Sequence, residues 1–160
     1  MAARGTPAHD CEAAARDGHL EVLQWAREQD GPGYAGKCFF AAKGGHLEVV
    51  QWAREHGCPW DARTCLFAAR GGHLNVLQWA RKHDCPCWGV HTSCRSAAEG
   101  GHLEVLQWAR EHGCPWDART CLFAARGGHL NVLQWAREHG CPWDAGTCEA
   151  AAAGGHLEAL

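Results

Sequence analysis

The side chains available for chemistry in this 160-residue chain are mostly thiols and imidazoles: eleven Cys and twelve His, beside twenty Gly and nine Trp. Three arrangements could act. In the first, a thiol stands two residues from an imidazole, as His56-x-Cys58, and again as His112-x-Cys114 and His139-x-Cys141. An imidazole that removes the thiol proton creates a nucleophile. The same pair recurs along the chain, however, whereas an active site is built once. No H-E-x-x-H, G-x-S-x-G or EF-hand pattern accompanies it. No catalytic residue is therefore expected, and the chain does not read as an enzyme.

The second arrangement is a cluster of metal or redox ligands. Between residues 83 and 94 the chain reads His83-Asp84-Cys85-Pro86-Cys87-Trp88-Gly89-Val90-His91-Thr92-Ser93-Cys94. Cys85, Cys87, His91 and Cys94 supply ligand types that suit zinc or thiol redox chemistry. Elsewhere the spacing is Cys-x6-Cys, as in Cys58 and Cys65, which is wider than the tight spacing of structural zinc sites. Those cysteines read as small buried hydrophobes. A metal- or redox-responsive protein centred on Cys85, Cys87, His91 and Cys94 is the alternative function. The main reading needs no metal and no cofactor.

The third is Gly31-Pro32-Gly33-Tyr34-Ala35-Gly36-Lys37-Cys38, which approaches the phosphate-binding loop G-x-x-x-x-G-K-[ST]. That chemistry requires a strand before the loop, a helix after it and a hydroxyl for Mg²⁺. Here a helical pattern over 21–29 precedes it, and Cys38 replaces the hydroxyl. The segment reads as a glycine-rich turn.

What positions all these residues is a repeat. Gly-His-Leu recurs with histidines at 19, 46, 73, 102, 129 and 156, and a tryptophan follows at 25, 52, 79, 108 and 135. A cysteine recurs at 11, 38, 65, 94, 121 and 148. A period in this range signals a solenoid or similar array. Residues 44–81 and 100–137 differ only at Val50 against Leu106. In one unit, Thr64 is a plausible N-cap for a short first helix. Cys65, Ala68 and Ala69 make a narrow small-residue face. Gly71-Gly72 stops that helix and turns the chain. Leu74, Val76, Leu77, Trp79 and Ala80 give the second helix a broad apolar face, and Gly57-Cys58-Pro59 shows how such a helix ends.

A hairpin of this size cannot bury its apolar side alone, so neighbours must stack. The expected fold is an all-α solenoid of helix-turn-helix repeats, with units near 10–31, 37–57, 64–84, 93–113, 120–140 and 147–160. Residues 1–9 are expected as a tail and 10–160 as one array of five full repeats and a shortened sixth. Leu157 and Leu160 leave that end apolar, which predicts fraying or further repeats beyond it.

The Thr cap, the Ala-Ala pair, Gly-Gly-His-Leu-Glu-Val and the Gly-closed second helix resemble the ankyrin repeat over nearly all of residues 10–160. The unit is shorter than the usual ankyrin repeat of about 33 residues. Its Thr-Pro-Leu-His opening is altered, and its finger shrinks to Cys-Pro-Trp-Asp. The resemblance implies a protein-binding scaffold that uses the first helices, on the concave side.

Comparing the copies marks a candidate surface. The two residues after the first-helix cysteine vary most, from Glu12-Ala13 to Glu149-Ala150 at the ends. In the middle they are Phe39 and Phe40, Leu66 and Phe67, Arg95 and Ser96, Leu122 and Phe123. These eight form a ladder expected to bind a protein partner. The net charge of −3 comes without a charged block, so nucleic acid and membrane surfaces are not expected partners. Residues 1–7 lack the apolar core of a signal peptide. The chain is expected as a monomer in the cytosol or nucleus, with reduced thiols.

Overall fold

The computed structural model describes residues 7–29, 37–59, 61–86 and 92–156, which contain eleven helices and no strand. First helices of the hairpins are α1 (Pro7–Asp17), α3 (Lys37–Gly44), α5 (Ala62–Arg70), α7 (Thr92–Gly100), α9 (Ala118–Arg126) and α11 (Ala145–Ala153). Second helices are α2 (Leu20–Glu28), α4 (Leu47–Glu55), α6 (Leu74–Lys82), α8 (Leu103–Glu111) and α10 (Leu130–Glu138). The all-α solenoid expected from the repeat is the observed fold. No described helix is long and apolar enough to cross a membrane.

Two boundaries differ from expectation. Helix α1 begins at Pro7, inside the expected tail, and proline suits the first helical position because its missing N–H is an orphan there anyway. The first helices α5, α9 and α11 begin three residues earlier than the Thr cap would place them. Their cap is Asp61, Asp117 or Asp144, each extended and each accepting a backbone N–H from Arg63, Arg119 or Thr147. Thr64, Thr120 and Thr147 instead lie in the first turn and are fully buried.

The small face of each first helix is buried as expected: Cys65, Ala68 and Ala69, and likewise Cys121, Ala124 and Ala125, are at most 1% exposed. Side chains this small let consecutive first helices pack closely along their length. Consecutive second helices, which carry Leu and Trp, touch only sparsely. The stack is therefore held together mainly through its first helices.

Gly72 meets two demands at the turn. Its φ is +78°, where L side chains are disfavoured, and a methyl group there would lie 2.5 Å from the His102 ring of the next repeat. That ring donates from Nε2 to the Arg70 carbonyl at 3.0 Å. His73 and His129 bond the Lys43 and Glu99 carbonyls in the same way. The recurring histidine thus covers a carbonyl at the open end of the preceding first helix, where intrahelical partners run out.

Tryptophans link the connections to the second helices. Trp116 meets Trp135 of the next repeat edge to face at 5.8 Å, with the Arg110 guanidinium 4.1 Å over Trp116. No described hairpin precedes α1 and α2, and Trp25 there is 63% exposed.

Candidate functional site on the first-helix face

The variable pair follows the buried cysteine by one and two positions, about 100° and 200° around the helix. Only part of it can therefore look away from the stack. Phe39, Phe40, Leu66, Phe67, Arg95, Leu122 and Phe123 are all partly exposed. Ser96 is not: it is 6% exposed and belongs to the interior. Phe40 leans on the core.

The rings make a continuous patch across repeats. Phe39 contacts Phe40 at 4.0 Å between centroids and stacks on Phe67 of the next repeat at 5.6 Å. Cations border it, with the Arg63 guanidinium 4.7 Å from the Phe39 centroid and Lys43 Nζ 5.7 Å from that of Phe67. Lys43, Phe67, Arg70 and Gly71 line an open groove of about 430 Å³. A second groove of about 500 Å³ lies between α9 and α11, lined by Leu122, Arg126, Glu149, Ala150 and Ala153 among others. Each joins an apolar floor to an exposed cation at the same repeat position, just before the Gly pair. That basic column was not part of the expected surface, although Lys43, Arg70 and Arg126 stand at the period in the sequence.

Arg95 separates the two grooves and is engaged by its own chain. It donates from Nε to Asp117 Oδ1 at 3.1 Å and from Nη2 to Oδ2. Because Asp117 also caps α9, Arg95 clamps one repeat to the cap of the next. Glu99 takes the column position beside it and pairs with Arg70 at 2.7 Å.

Among the described residues, the other candidate chemistry is not assembled. His56 is exposed, with Nδ1 donating to the Trp52 carbonyl at 2.7 Å and its ring against Trp52. Cys58 is buried beside Cys38. The repeated His-x-Cys unit is therefore not a base aimed at a thiol. Of the four residues in the alternative cluster, Cys87 and His91 lie outside the described residues. Cys85 is buried with its sulfur 3.7 Å from that of Cys65, whereas Cys94 faces Cys114 of its own repeat at 3.7 Å from the carbonyl. Among the described residues, no group of three or more His, Cys, Asp or Glu could hold a metal ion. Residues 31–36 of the glycine-rich loop also lie outside the described residues. Helix α2, not a strand, precedes them, and the thiol at the hydroxyl position, Cys38, is buried.

The cysteines do form an order that the sequence reading did not see. In each middle repeat the first-helix cysteine meets the cysteine twenty residues later, as Cys38 with Cys58 and Cys94 with Cys114. The constant spacing of twenty was the available signal.

Comparison with known proteins places the fold. The ankyrin repeats (many copies) family model matches residues 38–81 and 94–137, more than half of the chain. No similar protein is found among curated sequences. Among solved structures, the human ASB11 ankyrin repeat domain is similar with a TM-score of 0.69 and 15% identity, over 89% of this chain and 76% of that one. With the Ala-Ala stack, the Gly turn and the carbonyl-covering histidine already seen in three dimensions, the chain belongs to the ankyrin repeat family.

Proposed function

We propose that this chain is a non-catalytic scaffold that binds a protein partner along the first-helix face, centred on Phe39 and Phe67. Ankyrin repeats are in general protein–protein interaction modules, which supports the class of function. The observation that carries the face is the Phe39–Phe67 stack, partly exposed and bordered by Arg63, Lys43 and Arg70. Aromatic anchors beside basic groups favour a segment with apolar side chains flanked by carboxylates. Phe40, Leu66, Leu122 and Phe123 extend the contact, while Arg95 sets the spacing between two grooves. The chain acts as a monomer inside the cell, in the cytosol or nucleus, which suits its many thiols.

Selection of peptides from a displayed random library against the full chain tests this. The selected sequences should combine apolar and acidic residues. Binding should weaken at least tenfold, or about 1.4 kcal/mol, in Phe39→Ala/Phe67→Ala that remains helical by circular dichroism. Peptides that bind that folded variant as well as the parent, or that cross-link to the second helices, would remove this face from consideration.

A further inference from the structure

The two grooves of the first-helix face are alike in position and different in chemistry. The first lies between α3 and α5, where Phe67 is flanked by two exposed cations, Lys43 and Arg70. The second lies between α9 and α11, where Leu122, Ala150 and Ala153 make an apolar floor and Arg126 stands with Glu149. A groove with two cations favours a carboxylate beside an apolar side chain. A groove with one charge of each sign favours an apolar side chain with an acid and a base around it. Between the grooves runs α7, and its outward groups are engaged by their own chain. Arg95 is clamped to both carboxylate oxygens of Asp117, and Ser96 is buried. Glu99 reverses the basic column set by Lys43, Arg70 and Arg126, and pairs with Arg70 at 2.7 Å. That bond uses one nitrogen of a guanidinium with five N–H donors, so Arg70 can still meet a second carboxylate.

We propose that the partner is one extended segment gripped at two places, a reading that rests on the first-helix face being the binding surface. An acidic and apolar cluster occupies the α3/α5 groove, and an apolar cluster of mixed charge occupies the α9/α11 groove. The stretch between them crosses α7 without anchors, and Glu99 disfavours acids in it. A helical partner would need an unbroken apolar groove for its stripe, and Arg95 and Glu99 interrupt any such groove at α7. The stack sets the spacing. From the first groove to the second is three steps between neighbouring first helices. Packed helices lie about 8–10 Å apart, so the centres of the grooves are about 24–30 Å apart. An extended chain rising about 3.3 Å per residue covers that in about seven to nine residues. Neither cluster need bind tightly, because a spacer that spans the grooves makes the second contact intramolecular.

The test displays peptides with two randomised windows of about four residues, joined by Gly-Ser spacers from none to about twelve residues, and selects them on the full chain. Clones in which both windows converge should be absent at the shortest spacers. They should appear once the window centres are about eight residues apart. One window should be acidic and apolar, the other apolar with an acid and a base. A synthetic peptide of such a clone should bind at least about tenfold tighter than its acidic window alone. Leu122→Ala/Arg126→Ala should erase that gain and leave the affinity of the single acidic window unchanged. Should that pair fail to keep its circular dichroism, Arg126→Gln alone should still reduce the gain. Convergence of one window at every spacer length, or of both windows without regard to spacer length, overturns the two-point grip. If the single window is then still lost in Phe39→Ala/Phe67→Ala, the first-helix face itself survives. Peptides indifferent to both pairs of substitutions overturn the grip and the face together.

Discussion

At the scale of single residues, burial without a partner is the sharpest feature. Thr64 and Thr120 are fully buried, and their hydroxyl oxygens find no hydrogen-bond acceptor or donor among the described residues. Thr147, at the same repeat position, does bond Asp144 Oδ1 at 3.3 Å. A buried hydroxyl without a partner costs about 1–3 kcal/mol of desolvation, and valine keeps the shape. Thr120→Val should therefore leave stability unchanged or raise it by up to about 1 kcal/mol, while Thr147→Val should lower it. Urea denaturation of the two variants settles this, and equal losses at both sites would contradict it. A second contrast concerns tryptophan. Trp135 sits between repeats against Trp116, whereas Trp25 is 63% exposed. Trp135→Ala should cost near the lower end of the ~3–5 kcal/mol seen for Trp→Ala in cores, and Trp25→Ala no more than about 0.5 kcal/mol. Similar shifts in the denaturation midpoint would mean that Trp25 is covered in solution.

At the scale of the helix and its ends, the turn glycines separate backbone conformation from crowding. Gly57 and Gly72 have φ of +80° and +78°, but only Gly72 has a neighbour where Cβ would go, the His102 ring at 2.5 Å. Alanine at Gly57 should cost about 1–2 kcal/mol for the left-handed conformation. Alanine at Gly72 should cost that and more, and His102→Ala in the same chain should relieve the excess. A double-mutant cycle reads the coupling; no coupling would show that the ring moves aside freely. The ends also show where sequence reasoning stops. The run Asp61-Ala62-Arg63-Thr64 offers two good cap residues, and nothing local chooses between them. The choice follows from Thr64 being drawn into the stack by its neighbour Cys65, which leaves Asp61 extended and outside. In the same way, two variable positions after each cysteine were legible as a surface from the contrast with constant framework positions. That Ser96 turns inward and that Arg95 reaches Asp117, twenty-two residues away, depends on inter-repeat register, which no local pattern carries.

For the molecule as a whole, stability in such an array is close to a sum of hairpins and the interfaces between them, so a small effect at one interface is multiplied along the stack. His102 makes that sum depend on pH. The recurrence of the histidines already pointed to hydrogen bonding between repeats; the acceptor, a carbonyl about thirty residues earlier, came only from the fold. His102 has its pKa lowered below 6.5, chiefly because burial disfavours the charged ring; its bond to the Arg70 carbonyl opposes this, and His73 and His129 add repulsion. The unfolded chain therefore holds more protons on this residue than the folded chain in the window just below 6.5, and stability rises with pH there. The contribution is complete above 6.5 and drains away as the pH falls toward the folded value. The protonated ring still donates from Nε2, so the loss reflects a charge brought into a partly buried site beside two other imidazoles, not a broken hydrogen bond. The urea midpoint of the full chain should hold steady above about pH 7 and fall toward pH 5. His102→Gln, which keeps an N–H donor without a titrating ring, should fall less steeply, and added salt should recover part of the parent's loss by screening the neighbouring rings. A parent curve that is flat over this range, or one that His102→Gln reproduces slope for slope, would show that His102 carries no pH dependence of its own.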